Sequence, residues 1–452
     1  MDFTIKAGFA AFGEANTPYA KLVEKHDDAL LQLRLKHLQI ADAGIVIDDE
    51  DDASADAAIA KLKTADMDVL IVCVAGWVPS HAVIRVTDEF RHLPILLWGL
   101  CGWREGGRIV TTAEQAGTTA LRAVFEAMGY RYRFVYNSID EPLPIARIED
   151  FLLAAHAARA LRHARVGTMG YRDMRLYGTQ FEGNSLRAQI GVEVEPMEML
   201  EMVQLAETFS EAQIQEGLRY ISENWRFEKP CPEDVLRTGV RYALALAKKV
   251  QSRGWDAITL IDVDGMKRLL GFPPSMIFML LAHWCKIPTT PENDVMGNVT
   301  QIMLQLLTGE VPAYMEFYEF FKDSVLAGVP DYVPENVVEG EQTVLPAAFG
   351  KLATSVLNVS RVRTGRVTCA RLVYLNGQYR MHLFTGLAET PPAWSEYGWD
   401  DPAPQLPSLL IRLDGSVAEF AEKVTSQHIL IAYGDHAGRM TELCKLLGIA
   451  VF

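Results

Sequence analysis

The amino-acid sequence predicts an α/β protein: two doubly wound parallel-sheet domains followed by a smaller, β-rich, barrel-like C-terminal domain. Three observations carry this expectation. Continuously apolar runs, such as Met67–Gly76 and Leu93–Gly99, alternate with segments of helical periodicity, and strands apolar on both faces belong to parallel sheets covered by helices. The pattern restarts at Ala164–Gly170, after the break Asp140-Glu141-Pro142-Leu143-Pro144. From Lys351 onward β-rich runs dominate, and Asn376-Gly377 between two of them signals a tight hairpin.

In the first domain, residues 1–142, Thr17–Ile40 has helical spacing, Gly44–Ile47 is a short β-rich run and Ala53–Ala65 is helical. Met67–Gly76 is a buried strand, Ser80–Phe90 a helix, Leu93–Gly99 a strand, Thr112–Met128 a helix and Tyr132–Tyr136 a strand. Ligands of such sheets gather at the carboxyl ends of strands, which directs attention to the loops Gly76–Pro79 and Trp98–Arg108. The second domain, residues 143–345, opens with the helical Ile145–Arg162. It continues through strands at Ala164–Gly170 and Asp256–Asp264 and a helix at Pro274–His283. Asp331–Thr343, rich in Pro, Glu and Val, reads as a linker or boundary. The third domain, residues 346–452, holds β-runs at Val356–Arg361, Arg366–Leu375, Gln378–Phe384, Leu409–Leu413 and Ile429–Tyr433, then the helix Ala437–Leu447.

Composition narrows the function classes. The 452 residues are 49% hydrophobic and 22% charged, with a net charge of -15. So acidic a chain is unsuited to nucleic acid, because phosphate binding needs a positive patch. Asp48–Asp52, five consecutive acids, reads as a solvated loop. No apolar run is long enough to span a bilayer, and Met1–Ala10 lacks the basic start of a signal peptide. Six scattered cysteines without CxxC spacing read as reduced residues of a cytoplasmic protein.

Three places present oxygen or nitrogen ligands at element ends. Glu292-Asn293-Asp294 sits where a loop becomes an apolar helix, with Val295, Val299, Ile302, Met303 and Leu306 on its buried face and Gly309 at its end. Asp262 and Asp264 close an apolar strand. His428 precedes another strand, with Asp435 and His436 after it. Two carboxylates, a histidine and open positions suit Mn²⁺, Mg²⁺ or Co²⁺ better than structural zinc. Each place also has a purely structural explanation. Asn293 or Asp294 can cap the helix, Asp262 and Asp264 can end a strand and cap the Gly265–Leu270 turn, and His428 can be an ordinary surface histidine. Trp77, Trp98 and Trp103 lie on or near loops at strand ends, where aromatic rings can pack against the C–H face of a sugar.

Two segments carry a resemblance to a known family. Glu292-Asn293-Asp294, the Gly297-containing apolar helix and Leu306-Leu307-Thr308-Gly309, continuing to Pro312–Tyr318, resemble the metal-binding segment of the L-fucose isomerase family. Ser426–His436, followed by Leu443–Ile449, resembles that family's C-terminal segment, and Gly167–Met174 its glycine-led loop. The resemblance implies two α/β domains and a β-rich third, bound Mn²⁺, aldose–ketose isomerisation and a homo-oligomer, trimer or hexamer. It places the metal histidine on His428 and a carboxylate ligand on Asp294. The chain departs from the family where a second glutamate is expected, because Ser275–Leu281 contains no acid. Asp264 or Asp262 is then expected as the remaining ligand or base. Glu292 is expected to orient the ligands, and Arg172 and Trp77 to hold the far hydroxyls of a small sugar. L-arabinose isomerases place a histidine shortly after a Met-Glu pair, where this chain has Phe320 and Phe321. These departures leave two further readings open: a sugar-binding or regulatory protein of the same fold, or a metal-dependent enzyme that epimerises or cleaves a modified sugar.

Overall fold

Runs of β-branched and apolar residues without a polar break become inner strands, because only a strand covered on both faces buries every side chain it carries. Val69–Val74 and Ile95–Gly99 are buried at every position. A computed structural model describes residues 4–35, 37–329, 332–347, 353–392 and 406–452. The chain divides into two compact units, Met1–Arg159 and Ala160–Phe452.

The first unit is a five-stranded parallel sheet in the order Leu38–Val46, Ile5–Phe12, Val69–Val74, Ile95–Gly99, Tyr132–Tyr136. This is the 2-1-3-4-5 order of a doubly wound sheet. Helix Tyr19–Gln32 is shorter than the sequence pattern suggested, and Leu38–Val46 is a strand. Its edge position explains the misreading: Gln39 and Asp42 dilute the apolar run, and most of its residues are only half-buried. Trp103–Glu105 and Arg108–Val110 form a small hairpin that begins in the expected loop Trp98–Arg108 and ends two residues past it. The unit also extends past the expected boundary at 142. His156 and Arg159, on helix Ile145–Leu161, bond the Asp68 carboxylate at 3.0 and 3.2 Å, which ties that helix to the sheet.

The second unit holds both a parallel sheet and a barrel. The sheet runs Thr289–Thr290, Ala257–Leu260, Arg165–Met169, Glu193–Met197. Six antiparallel strands close the barrel: Gly365–Leu375, His428–Tyr433, Ala313–Phe320, Ser324–Gly328, Ser408–Leu413 and Gln378–Glu389, the last pairing back to the first. The barrel therefore begins at Ala313, well before the boundary expected at 345, and shares one compact unit with the sheet. Its core is lined by Ala313, Met315, Val325, Ala327, Val367, Cys369, Leu409, Ile411, Ile429 and Ile431. The hairpin at Asn376-Gly377 has φ of 53° and 80°, the left-handed geometry expected of a two-residue turn.

The expected linker Asp331–Thr343 is structured where it is described. A short helix spans Glu335–Val337, and Gln342–Ala347 pairs with Trp225–Phe227 and Ser355–Asn358 in a small sheet. Asp331 itself lies outside the described residues. Among the described residues no helix is long and apolar enough to cross a membrane.

Candidate metal centre

Helix Val295–Thr308 is buried along nearly its whole length. It packs on Arg165–Met169 and Ala257–Leu260 of the parallel sheet, and on Gly365–Leu375 and His428–Tyr433 of the barrel. Apolar residues cover most of it, and the buried Thr300, Gln301 and Gln305 are accommodated by donating to the Met296, Pro312 and Lys286 carbonyls. The turn leading into it, Pro291–Asp294, is thereby held where sheet and barrel meet.

That turn is strained. Glu292 and Asn293 have φ of 60° and 55°, a region that costs a non-glycine residue roughly 1–3 kcal/mol. Several bonds hold it. The Asn293 N–H donates to the Leu260 carbonyl at 3.0 Å, and the Glu292 N–H donates to Asp262 Oδ1 at 2.9 Å. Asn293 Nδ2 donates to the Tyr171 carbonyl at 2.6 Å.

Asp294, fully buried, caps the helix by accepting the Gly297 N–H at 2.9 Å. Its carboxylate also accepts a two-pronged bond from Arg371 (2.5 and 3.0 Å) and a bond from the Tyr314 hydroxyl at 3.0 Å. His428 Nδ1 lies 3.3 Å away. Burial alone would raise its pKa, but Arg371 and His428 outweigh burial and hold the carboxyl well below the usual carboxylate range.

His428 and Glu316 face each other directly across the barrel strands, while Met315 and Ile429, one position along, turn into the barrel core. The His428 Nε2 lies 3.1 Å from Glu292 Oε2 and 3.7 Å from Glu316 Oε1. One ligand atom from each of Glu292, Glu316 and His428 can be chosen so that all lie within 4.8 Å of one another. Glu292 Oε2 is buried and has no aligned hydrogen bond, despite its nearness to the imidazole. Burial would lower the His428 pKa, yet the neighbouring carboxylates of Asp294, Glu292 and Glu316 push it up to about 10. Glu292 is raised, by burial first, with His428 opposing.

Two carboxylates and one imidazole form a hard, oxygen-rich donor set, and an orphaned buried carboxylate oxygen points into it. The residues fit a divalent cation of the Mn²⁺ or Mg²⁺ kind. Asp294 then stands behind the histidine, as a carboxylate that fixes which nitrogen carries the proton.

Of the expected set Asp294, His428 and Asp264, the first two meet, at 3.3 Å, while Asp264 is paired elsewhere. The oxygens of Asp294 are taken up by Arg371, Tyr314 and Gly297. The Asp264 carboxylate, a third exposed, bonds Arg268 at 2.8 Å. Asp262 meets Lys267 at 3.0 Å and the Glu292 N–H, which makes it a support for the turn. Both acids lie in a wide helical turn, Asp262–Leu270, that begins just after strand Ala257–Leu260. Asp173 clamps that turn by accepting the N–H groups of Val263 and Asp264 at 2.9 and 2.7 Å. The Asp173 carboxyl is pushed up to about 7 by burial first and the neighbouring Asp262 second. Glu292, expected as an orienter, instead faces the imidazole. Arg172 stacks on Tyr177 at 4.8 Å, and Trp77 lies in the first unit after strand Val69–Val74, partly exposed.

Sequence reasoning missed Glu316, Arg371, Tyr314 and Asp173. A charged residue in the otherwise apolar Ala370–Leu375 was the available sign for Arg371. Of the other histidines considered, His283 stacks on Tyr220 at 4.1 Å, and His436 Nε2 lies 2.8 Å from the Tyr433 carbonyl.

Fold and site together define an α/β chain with a buried Glu–Glu–His cluster at the junction of a parallel sheet and a six-stranded barrel. No family model matches the chain, and no curated protein matches it. Among solved structures, an ABC transporter solute-binding protein from Burkholderia multivorans, with an unknown ligand interpreted as alpha-D-erythrofuranose, is 9% identical, covers 68% of this chain and 95% of that one, and has a TM-score of 0.18. A protein from Mycobacterium smegmatis is 12% identical, covers 73% of this chain and 89% of its own, and has a TM-score of 0.13. At these values neither likeness bears on what the chain binds.

Proposed function

We propose that this chain is a metal-dependent aldose–ketose isomerase of the L-fucose isomerase type, acting on a free sugar, with a divalent cation held by Glu292, Glu316 and His428. The observation that carries this reading is the buried, unbonded Glu292 Oε2 facing His428 Nε2 and Glu316. A Mn²⁺, Mg²⁺ or Co²⁺ ion there supplies Lewis acidity toward a sugar carbonyl and its neighbouring hydroxyl.

The residues divide the remaining tasks. Arg371 and Tyr314 keep Asp294 ionised and fixed, Asp294 holds the Nδ1 proton of His428, and Nε2, which faces Glu292, Glu316 and the Gln427 amide, would give up its proton to a bound cation. Glu316, the least buried of the three, takes the C2 proton of the open-chain aldose and returns it to C1. Glu292, raised by burial, carries the hydroxyl proton from O2 to O1, so that the enediol between them is never left with a bare charge. Asp262, expected earlier as a base, serves by anchoring the Glu292 backbone.

The reading extends to a homo-oligomer, trimer or hexamer, and to the cytoplasm. The six cysteines, all free, support a reducing compartment.

The test is metal removal. After chelation verified by elemental analysis, conversion of a panel of aldoses in heavy water should stop, and Mn²⁺ should restore it with deuterium entering at C1 or C2. Unchanged conversion in metal-free protein overturns the reading. Sugar binding without deuterium exchange replaces it with a sugar-binding or regulatory role.

A further inference from the structure

Adjacent residues of the strained turn send their side chains to different places. Glu292 faces His428 and Glu316. Asn293, the next residue, lines a cleft of about 580 Å³ that runs along the edge strand Glu193–Met197 and reaches the carboxyl end of Arg165–Met169. Asn293 is only 3% exposed. Its amide orientation follows from chemistry: the Tyr171 carbonyl can only accept, so the nitrogen must face it, at 2.6 Å. The Oδ1 that remains is buried and has no partner. A buried acceptor left unmade costs free energy until a donor reaches it.

The walls of the cleft say what kind of donor. Tyr171, 71% exposed, and Phe181 present aromatic rings, and Asn184 and Glu198 present polar groups. Arg187, the cation among the described residues lining the cleft, is neutralised by Glu193 at 3.3 Å. Rings for C–H faces, a buried acceptor for a hydroxyl and a net negative rim select an uncharged polyhydroxy compound and disfavour a phosphate.

We propose that this cleft is a recognition subsite for the neutral, hydroxylated end of the substrate, the end remote from Glu292, Glu316 and His428, with Asn293 as the residue that reads it. Its connection to the reaction rests on the isomerase reading.

The experiment is calorimetry on the full chain, loaded with Mn²⁺, against both enantiomers of arabinose, xylose and mannose, and against arabinose 5-phosphate and mannose 6-phosphate. At least one neutral sugar should bind about tenfold or more tightly than its phosphate. Phe181→Ala and Asn293→Ala should each weaken the best neutral sugar about tenfold while Mn²⁺ affinity stays within about threefold, and Glu198→Lys should close the gap to the phosphates. Phe181→Ala keeps the test sound if Asn293→Ala disturbs the turn. The proposal is overturned if no panel sugar binds, if phosphates bind better than their parents, or if a folded Phe181→Ala binds sugar like the wild type. Failure of the isomerase reading is distinguishable. Sugar binding that depends on Phe181 without any turnover sinks isomerisation and keeps the subsite, whereas full turnover in Phe181→Ala does the reverse.

Discussion

Replacing Asp294 with asparagine separates a carboxylate that orients a ligand from one that is a ligand. Asparagine keeps the shape and one acceptor for the Gly297 N–H, but it removes the charge that faces Arg371, itself 2% exposed. Leaving one partner of a buried ion pair uncompensated costs about 3–5 kcal/mol, so the second unit should melt upwards of about 6 °C lower. If Asp294 only orients His428 Nδ1, Mn²⁺ affinity should fall about 10–100-fold, or roughly 1.4–2.7 kcal/mol. Glu316→Gln removes a charge facing the ion position directly. At an effective dielectric near 20 that loss exceeds about 4 kcal/mol, on the order of a thousandfold. Glu316 is also partly exposed and makes no buried pair with Arg371, so its stability cost should be small. Titration calorimetry of Mn²⁺ into the metal-free wild type and both variants, paired with scanning calorimetry, reads all four quantities. The reasoning is refuted if Asp294→Asn abolishes Mn²⁺ binding while Glu316→Gln retains it, because Asp294 would then be the ligand.

Three other outcomes are expected. Asp173 has its folded pKa raised from 3.8 to about 7, so its contribution to stability is complete below about pH 4 and is lost as pH rises through 7. Asp173→Asn, which keeps a donor toward Asp262, should flatten that slope in denaturation curves taken from pH 4 to 8; an unchanged slope would assign it to other groups. Gly297→Ala should destabilise by about 1–3 kcal/mol in urea melts despite alanine's better helix propensity. Its Cβ would sit 2.7 Å from Asp294 Oδ2 and 3.0 Å from Tyr314 Cε2, both held in place, and a neutral or stabilising result would mean those groups yield. Glu292→Gly relieves the φ of 60° and removes a buried acid, so metal-free stability should hold or rise by up to about 2 kcal/mol while Mn²⁺ binding disappears. Persistent Mn²⁺ binding in that variant would remove Glu292 from the centre.

Much of the fold was legible because burial writes itself into composition. Val69–Val74 and Ala257–Leu260 are apolar at nearly every position, and Asn376-Gly377 can hardly be other than a tight turn. His428 and the Glu292–Asp294 turn stood out because polar residues abut apolar elements. Glu316 did not. On a strand reading Tyr314, Glu316, Tyr318, alternation looks like a half-buried strand with a polar outer face. Only the register that sets Glu316 opposite His428 turns that outer face into a site. Asp262 and Asp264 were located at the right strand end, but their roles depend on the wide turn they enter and on Asp173, 90 residues away from Val263 in the chain. Arg371 and Asp294 are 77 residues apart, and no local pattern joins them.

The arrangement also explains why so many unfavourable features occur together. Two left-handed non-glycine residues, a fully buried arginine–carboxylate pair and an unbonded carboxylate oxygen fall within a few residues of one helix end. None of these improves packing, and a buried ion pair is weak evidence of stability. Helix Val295–Thr308 is locked from one side by the parallel sheet and from the other by the barrel, and that rigidity lets the strain persist. The acids and the histidine come from separate layers: Glu292 from the sheet's edge, Glu316 and His428 from the barrel. A cation drawn to all three adds stability only when both layers are in place, by the linkage that stabilises any native state with a bound ligand. Under the proposed metal-site reading, the local cost is carried by the surrounding structure in the metal-free chain and would be offset by a bound ion, with Asp294 and Arg371 setting the imidazole beforehand so that little reorganisation would remain.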